Sequence, residues 1–379
     1  MNRISVICFT VLCCLQFNTS AQTTFDLEGQ ATLLLNYSPE NTAPLFLGLR
    51  YLPKAKLVAP IDSSRKFDFE CSLNITTIAF AYPFDSITGD ADTQFYRLWA
   101  RYTSKQFELR AGLQKIDFGS ATILRPLQWF NQVDPRDPLQ ITNGVYSLLS
   151  RYYFLNNTNI WVWGLLGNKK PRGYDFLDSN QWLPEVGTRI QTPIPKGEIA
   201  LSYHYRNADT RTLNGGLPLY EKLPENRVAL DGKWDLGVGL WLEYTYINRQ
   251  KYFGPFTSMN LLTTGTDYTF AIGNGLNVVG EHLFLTGGHM AFDIDFVNHI
   301  SALMINYPIG PYDQLSFLLS YGWEENLATA FLNYQHQFKH ITSYFMVYYN
   351  PSGANALPVS NQTTNFGGPG IRLLLVYNH

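Results

Sequence analysis

The chain has 379 residues, of which 15% are charged and 15% are aromatic, and its formal net charge at pH 7 is −2. The charged share is low beside the roughly 25% of an average soluble protein. Because no basic excess is present to neutralise phosphates, composition argues against a nucleic-acid-binding protein, and we expect no nucleic-acid partner.

Residues 1–21 predict a cleaved export signal. Arg3 supplies a short positive region, residues 4–15 are mostly apolar, and small side chains precede a cleavage point before Gln22. The apolar run is shorter than the ~20 residues that a membrane-spanning helix requires. The sequence therefore predicts an exported protein whose mature chain begins at Gln22.

The mature chain, residues 22–379, is expected to form a single domain. Cys71 is its one cysteine, so no intramolecular disulfide is expected. Cys71 lies on the apolar phase of its segment, which favours a small lipid-facing side chain over a reactive thiol.

Segments of about ten residues with alternating polarity recur along the whole mature chain. In the first of them, Phe25, Leu27 and Leu33 alternate with polar residues such as Asp26 and Glu28. A period of two places these two sets on opposite faces of a β-strand. The alternation predicts eighteen strands near residues 25–37, 45–57, 66–80, 93–103, 106–118, 147–155, 158–167, 184–193, 197–207, 226–235, 238–249, 260–272, 276–286, 292–307, 313–324, 328–338, 341–350 and 369–377.

An export signal followed by such strands is typical of an all-β transmembrane antiparallel β-barrel in the outer membrane of a Gram-negative bacterium. We expect about 18 strands, with 16 as the alternative count. A large secreted sandwich or propeller is the structural alternative, but in a water-soluble fold of that kind large apolar residues would not face outward so regularly. The aromatic surplus suits the girdles that flank the lipid-facing band.

Short, turn-rich links alternate with longer connections, as in bacterial barrels with short periplasmic turns and longer external loops. With an even strand count, both termini are then expected on the periplasmic side. The predicted short links lie at residues 103–106, 156–157, 193–197, 235–237, 273–275, 308–312 and 339–340. The predicted long loops are residues 119–146, 168–182, 207–225 and 351–368.

A barrel of sixteen to eighteen strands leaves an aqueous lumen, whereas eight strands fill theirs with side chains. The predicted strand count therefore indicates a pore. Residues 119–146 form the longest connection and the third external loop. In porins a long third loop often folds into the lumen and narrows it, so this loop resembles a porin constriction loop.

Residues 110–138 carry a more specific resemblance. Arg110-Ala-Gly-Leu-Gln114 is followed by Asp117-Phe-Gly119, then by Trp129-Phe-Asn-Gln-Val-Asp-Pro-Arg-Asp-Pro138. This pattern resembles porin-like outer-membrane families related to the phosphate-selective and alginate-export porins, although Asp134 stands where those families have Asn. The resemblance implies a porin-like channel and specifies no solute.

Charged residues on the strands and loop beside this motif are our candidate constriction. A tight turn near residue 104 would place the lumenal side chains of two neighbouring strands side by side, as a basic stripe beneath acidic groups of the loop. The alternative is that the arginines pair with Glu108, Glu70 or Asp68 and only satisfy the lumen. The candidate pore-lining residues are Arg97, Arg101, Glu108, Arg110, Gln114, Asp134, Arg136, Asp137 and Arg151.

The polar phase elsewhere carries both signs of charge, so the sequence argues against strong selectivity for one sign. These further lumenal residues are Asp26, Glu28, Arg50, Arg189, Glu198, His204, Arg206, Asp231, Glu243 and Glu281.

The sequence leaves two functional classes open, a passive diffusion channel for small polar or charged solutes and an accessory or scaffold subunit of a larger outer-membrane complex. An enzyme is not expected, because no nucleophile motif such as Gly-x-Ser-x-Gly is present. We expect no cofactor and no metal site. Outer-membrane lipid, small polar solutes and either a homo-oligomer or other outer-membrane proteins are the expected partners.

Overall fold

The computed structural model describes residues 23–41, 43–82, 86–213, 216–351 and 367–379. The predicted export signal and its cleavage point lie outside these residues, as does most of the predicted loop 351–368. The described strands form one antiparallel sheet that closes on itself through pairing of the first strand with both the second and the last. The predicted barrel is therefore confirmed.

Nineteen strands follow one another in the part of the chain that the structure describes, and eighteen of them form the barrel wall. The exception is β8, which has two residues and pairs with the long-loop end of β10. The strands are β1 Thr24–Tyr37, β2 Leu45–Pro60, β3 Lys66–Ala81, β4 Ile87–Thr103, β5 Phe107–Gln114, β6 Val145–Tyr153, β7 Asn159–Leu165, β8 Asp178–Ser179, β9 Glu185–Ile194, β10 Gly197–Asp209, β11 Leu223–Asp235, β12 Gly239–Arg249, β13 Ser258–Phe270, β14 Leu276–Gly288, β15 Phe296–Pro308, β16 Asp313–Gly322, β17 Leu327–Gln337, β18 Ile341–Asn350 and β19 Gly368–Asn378.

Each predicted strand coincides with one barrel strand, and boundaries differ by four or more residues at three places. Strand β4 begins at Ile87, six residues before the predicted start, and β5 ends at Gln114, four residues before its predicted end. Strand β15 begins at Phe296, four residues after its predicted start. Ile116 and Phe118 belong to the apolar phase that predicted the longer β5. They are buried inside the barrel, because the chain leaves the wall after Gln114 and turns inward.

The two ends of the barrel differ in the length of their connections. At one end, the short-turn end, the links are between two and five residues long, and the first and last strands begin and end there. At the other, the long-loop end, residues 115–144 and 166–184 form the longest described connections. The predicted alternation of short and long links is therefore present.

The outer surface is apolar, as the alternation predicted. Leu27 on β1, Leu201 on β10 and Leu230 on β11 all point outward, with exposed fractions of 71%, 54% and 49%. The Cys71 side chain is also exposed on this surface. Burying these groups in lipid favours insertion by ~25 cal/mol for each Å² removed from water.

The lumen-facing side is polar on one half of the barrel and apolar on the other. Strands β12 to β19 contribute a cluster of buried apolar side chains to the lumen, which packs against Ala121, Ile123 and Leu124 of the connection that enters it. This packing explains why β19 alternates only weakly in sequence, since both of its faces are covered by apolar material. The lumenal apolar residues include Ile247, Leu261, Leu283, Ile300, Leu318, Phe331, Met346, Leu374 and Val376.

Deleting residues 370–379 is expected to abolish barrel assembly. Strand β19 pairs along its length with both β18 and β1, so its loss leaves two open strand edges in the hydrocarbon region. Heat-modifiable migration on gels after outer-membrane isolation measures assembly. His379→Ala, which removes only the side chain beyond the last strand, is the control. Normal amounts of folded truncated protein would contradict the closing role of β19.

Candidate constriction in the barrel lumen

Residues 115–144, called the inserted segment below, leave β5 and fold into the lumen before returning to β6. Aromatic side chains fix the first part of this path. The Phe118 ring stacks on Trp163 of β7 at a centroid distance of 5.6 Å, and Phe130 meets Trp163 at 5.4 Å and His204 of β10 at 5.0 Å. Such ring pairs contribute about 0.5–1.5 kcal/mol each beyond burial. The inserted segment is thus packed against the wall.

Two buried wall carboxylates hold the backbone of the inserted segment. Glu281 on β14 accepts hydrogen bonds from the backbone N–H groups of Thr122 at 2.6 Å, Ile123 at 2.9 Å and Leu124 at 2.5 Å. The indole N–H of Trp241 donates to the same carboxylate at 2.9 Å. Four donors satisfy the acceptor oxygens of this carboxylate and anchor the segment to the apolar half of the lumen.

Glu243 on β12 is the second anchor. Its carboxylate accepts the backbone N–H groups of Ala121 at 2.7 Å and Leu127 at 3.2 Å. Gly119 has a φ of 110°, and a Cβ at this position would lie 2.3 Å from the Glu243 carboxylate oxygen. Glycine is therefore required where the Asp-Phe-Gly motif turns past this carboxylate.

The predicted basic stripe lies on β4, β5 and β6. Three of its arginines surround Glu108, with side-chain distances of 3.7 Å from Arg101, 2.9 Å from Arg110 and 3.6 Å from Arg151. Arg101 also contacts the fully buried Asp68 at 2.7 Å. The arginine side chains keep exposed fractions of 22%, 15% and 15%, so they remain accessible to water in the lumen.

The arginine cluster, defined as Arg101, Arg110 and Arg151 with Lys66, carries more positive than negative charge. Its four cations face two carboxylates, Asp68 and Glu108, which leaves a surplus of two positive charges. Tryptophan rings stabilise two of these cations. The Arg151 guanidinium lies 3.7 Å from the ring centre of Trp161, and Arg110 lies 4.9 Å from that of Trp99.

Arg97 and Gln114, two further predicted site residues, hold the ends of the inserted segment. Arg97 is 7% exposed and donates to the Thr142 carbonyl at 2.8 Å. Gln114 is fully buried, and its amide donates to the carbonyls of Arg110 and Ser147 at 3.1 Å each. Both side chains are engaged with backbone carbonyls.

Asp134, Arg136 and Asp137 make their close contacts within the inserted segment. Asp134 receives two hydrogen bonds from the Arg136 guanidinium, at 2.9 and 2.8 Å. Asp137 accepts the backbone N–H groups of Leu139 and Ile141 at 3.0 Å each. Neither carboxylate forms an ion pair with the arginine cluster in the described part of the chain.

Burial raises the pKa of Asp137 above its ordinary value, although the two backbone donors and the positive charge of Arg50 on β2 oppose the shift. Arg372 on β19 is the other wall arginine within electrostatic reach of this part of the segment. The acidic part of the inserted segment therefore faces basic groups of β2 and β19.

A second connection, residues 166–184, also turns inward and is held by a buried ionic network. Glu225 on β11 is fully buried and contacts the guanidinium groups of Arg206 at 2.7 Å, Arg227 at 2.6 Å and Arg249 at 2.9 Å. Asp175 of the connection accepts from Arg227 at 2.7 Å. The network fixes this connection against β10 to β12.

Glu185 of β9 joins the same region of the wall. It accepts two hydrogen bonds from Arg172 of the second connection, at 2.9 and 3.0 Å, and lies 3.1 Å from His204 Nε2. The other ring nitrogen of His204 accepts from the Trp163 indole at 3.2 Å. Because an indole N–H can only donate, His204 carries its proton on Nε2 and donates it to Glu185.

Glu243 and Glu281 were predicted to face the lumen but not to anchor the inserted segment. Their sequence neighbours hold a signal for this role. Glu281 lies between the lumenal positions Val279 and Leu283, and a carboxylate among apolar neighbours requires polar partners brought from elsewhere in the fold. The identity of those partners, backbone N–H groups some 120 to 160 residues away, has no sequence signature.

Among the described residues, no cluster of three or more His, Cys, Asp or Glu side chains is arranged to hold a metal ion. No helix in the same residues is long and apolar enough to cross a membrane.

Comparison with known proteins gives structural likeness alone. No family model matches the chain, and no curated protein matches its sequence. Three solved outer-membrane barrels are similar to it. OccK5 (OpdH) of Pseudomonas aeruginosa has a TM-score of 0.56 at 11% identity, covering 94% of this chain and 98% of its own. OccAB4 of Acinetobacter baumannii has 0.55 at 9%, covering 95% and 98%.

The third structure, an anion-selective porin from Comamonas acidovorans, has a TM-score of 0.50 at 12% identity, covering 94% of this chain and all of the porin chain. At these identities the likeness establishes the fold. A closed barrel with an apolar outer surface satisfies its backbone hydrogen bonds within lipid, and the protein is located in the cell outer membrane.

Proposed function

We propose that this barrel is an outer-membrane channel for the passive diffusion of small polar or charged solutes. The inserted segment forms the constriction, and the arginine cluster lines the passage beside it. The short-turn end with both termini faces the periplasm. This orientation follows the usual placing of short turns and long loops in bacterial barrels.

One observation carries the proposal: three lumenal arginines converge on the single carboxylate of Glu108 and stay accessible to water. Arginines that only satisfied the lumen would need one carboxylate each, whereas the cluster keeps a surplus of two positive charges. Surplus charge at the wall of a narrow aqueous passage selects among ions by sign. The cluster therefore supports passage of solutes and a preference for anions.

The proposed solutes are small anions, and uncharged polar molecules of similar size pass less readily. The resemblance of residues 110–138 to porin-like families specifies no solute, so the proposed anion preference rests on the arginine cluster. Accessible groups of both signs on the neighbouring strands β1 and β2, such as Glu28 and Lys54, keep the preference modest.

Replacing Arg110 and Arg151 together by alanine is expected to remove the local surplus of positive charge, because the two remaining cations then equal the two carboxylates in number. Glu108 also loses its closest donor. The anion-to-cation permeability ratio should fall at least about twofold, as expected for charges lining a narrow pore. Zero-current potentials across planar bilayers under a salt gradient measure the ratio.

The control is Arg65→Ala, which removes an arginine from the link between β2 and β3 at the short-turn end. Its permeability ratio should match that of the unaltered protein. An unchanged ratio in the double variant would overturn the role of the arginine cluster. A scaffold subunit, the alternative function, predicts no ion conductance from any of these folded proteins.

A further inference from the structure

The outer surface has inverted polarity over the sector formed by β13, β14 and β15. Glu281 faces the lumen, so the adjacent His282 faces outward. Cross-strand pairing sets Thr264, His282 and Ser301 in one row across the three strands, near their midpoints. On other strands of the wall, outward-facing side chains near the midpoint are apolar, as Leu230 is on β11. This row, called the polar row below, lies where hydrocarbon is expected.

A chain of hydrogen bonds runs through the polar row. The Trp323 indole donates to Ser301 Oγ at 3.0 Å, and Ser301 Oγ lies 2.9 Å from His282 Nδ1. His282 Nε2 lies 3.3 Å from His299 Nδ1. The indole only donates, but the Ser301 hydroxyl can accept this bond and still either donate to His282 Nδ1 or accept from it, so the two histidine contacts share one of two directions. In both directions His299 Nε2 is the last polar atom of the chain of bonds.

His299 Nε2 ends this chain, and no hydrogen bond from another described residue reaches it. Thr264 and Thr266 are exposed on the same surface and offer hydroxyl oxygens. In hydrocarbon an unsatisfied polar group destabilises the inserted protein, because no water is present to replace the missing hydrogen bond. A lipid-facing position therefore gives these polar groups no hydrogen-bond partner.

Beyond the strand ends, the same sector carries exposed apolar side chains. The connection 289–295 presents Met290, Phe292 and Ile294 with exposed fractions of 72%, 72% and 63%. Within this connection, His289 Nε2 lies 3.3 Å from the Asp295 carboxylate. The Phe292 ring stacks on the outward-facing Tyr246 at 6.0 Å. Apolar groups thus lie at the long-loop end, where water or polar headgroups are expected.

We propose that the polar row and the connection 289–295 form a contact surface for a second copy of this chain within the membrane. A protein surface can supply hydrogen-bond partners to the polar groups at the middle of the sector and cover the apolar groups at its end. Hydrocarbon would favour apolar groups at the middle, and water would favour polar groups at the end. The proposal is independent of the proposed channel function.

A second copy fits because all copies insert in the same direction. Rotation about the membrane normal then brings equal depths together, so the polar row meets the partner's polar row and the apolar connection meets its counterpart. His299 Nε2 gains the threonine hydroxyls of the other copy as hydrogen-bond partners, since a hydroxyl can both donate and accept. Gly280, paired with Thr266, has open space where a side chain would stand, which allows close approach.

Disulfide crosslinking tests whether two copies meet at this surface. In a Cys71→Ser background, Thr264→Cys is oxidised in isolated outer membranes, and Leu49→Cys on the outer surface of β2 is the control. We expect a crosslinked product of twice the monomer mass from Thr264→Cys and none from Leu49→Cys. Absence of this product, equal crosslinking at both positions, or a product containing a different protein would overturn the proposal.

Leucine substitution tests the polar row directly. The double variant His282→Leu and His299→Leu should lower the mass of the detergent-solubilised particle to that of a monomer, while heat-modifiable migration shows that the barrel is folded. His340→Leu, in the link between β17 and β18, should leave the mass unchanged. If lipid covers the polar row, the double variant keeps the mass of the unaltered protein, and the proposal is wrong.

Discussion

Glu281→Gln is expected to release the inserted segment and to raise single-channel conductance by at least about twofold, since the segment sets the width of the passage. The substitution keeps the shape of the side chain but replaces one acceptor oxygen by an NH₂ group. That group would face backbone N–H donors of Thr122 to Leu124 or the Trp241 indole, which are donors as well. Losing two charge-assisted bonds weakens the anchor by ~3–6 kcal/mol.

The wider passage should also show frequent switching between conductance levels, because the apolar contacts of Ile123 and Leu124 still favour the packed position. Glu198→Gln is the matched control. Glu198 lies on the lumenal side of β10 at the short-turn end, where it bonds to Gln191 and not to the inserted segment. If Glu281→Gln conducts in steps of the same size as Glu198→Gln, the carboxylate does not hold the constriction.

Glu225→Gln is expected to lower the stability of the barrel by about 3–5 kcal/mol, the usual effect of removing one partner from a buried ionic group. Three arginine side chains contact this carboxylate, and each is buried. With a neutral amide in its place, Asp175 is left as the nearest anion for Arg206 and Arg227. The temperature at which the folded band disappears from gels measures the loss.

The control for this experiment is Glu221→Gln in the neighbouring connection. Glu221 has a 56% exposed side chain and lies 3.7 Å from Arg211, so its ion pair contributes at most ~1 kcal/mol. The Glu221→Gln barrel should unfold at the temperature of the unaltered protein. Equal unfolding temperatures for Glu225→Gln and Glu221→Gln would show that the buried network does not stabilise the fold.

The barrel was predictable from the sequence because its lipid-facing residues obey a strict period of two. Leu27 and Leu230 face lipid regardless of what fills the lumen, so each strand can be recognised from its own alternating residues without knowledge of distant parts of the chain. The turn-rich links then set the order and direction of neighbouring strands. Count, closure and the lumenal placing of the arginines all follow from these local patterns.

The contents of the lumen were less predictable, because they depend on contacts between residues far apart in sequence. Leu374 and Val376 weaken the alternation of β19, and only their packing against the inserted segment explains their presence inside. Arg97 and Gln114 have the polarity of pore-lining residues, but both bond to backbone carbonyls that the sequence does not place near them. Spacing alone cannot separate a solute-facing side chain from an anchoring one.

Single-channel recording of the unaltered protein in planar bilayers tests the central claim most directly. The sample is purified barrel that shows heat-modifiable migration, so that every recording comes from folded protein. The account predicts discrete conductance steps with a zero-current potential of the sign that marks anion preference under a salt gradient. Folded protein that yields no conductance steps would contradict it.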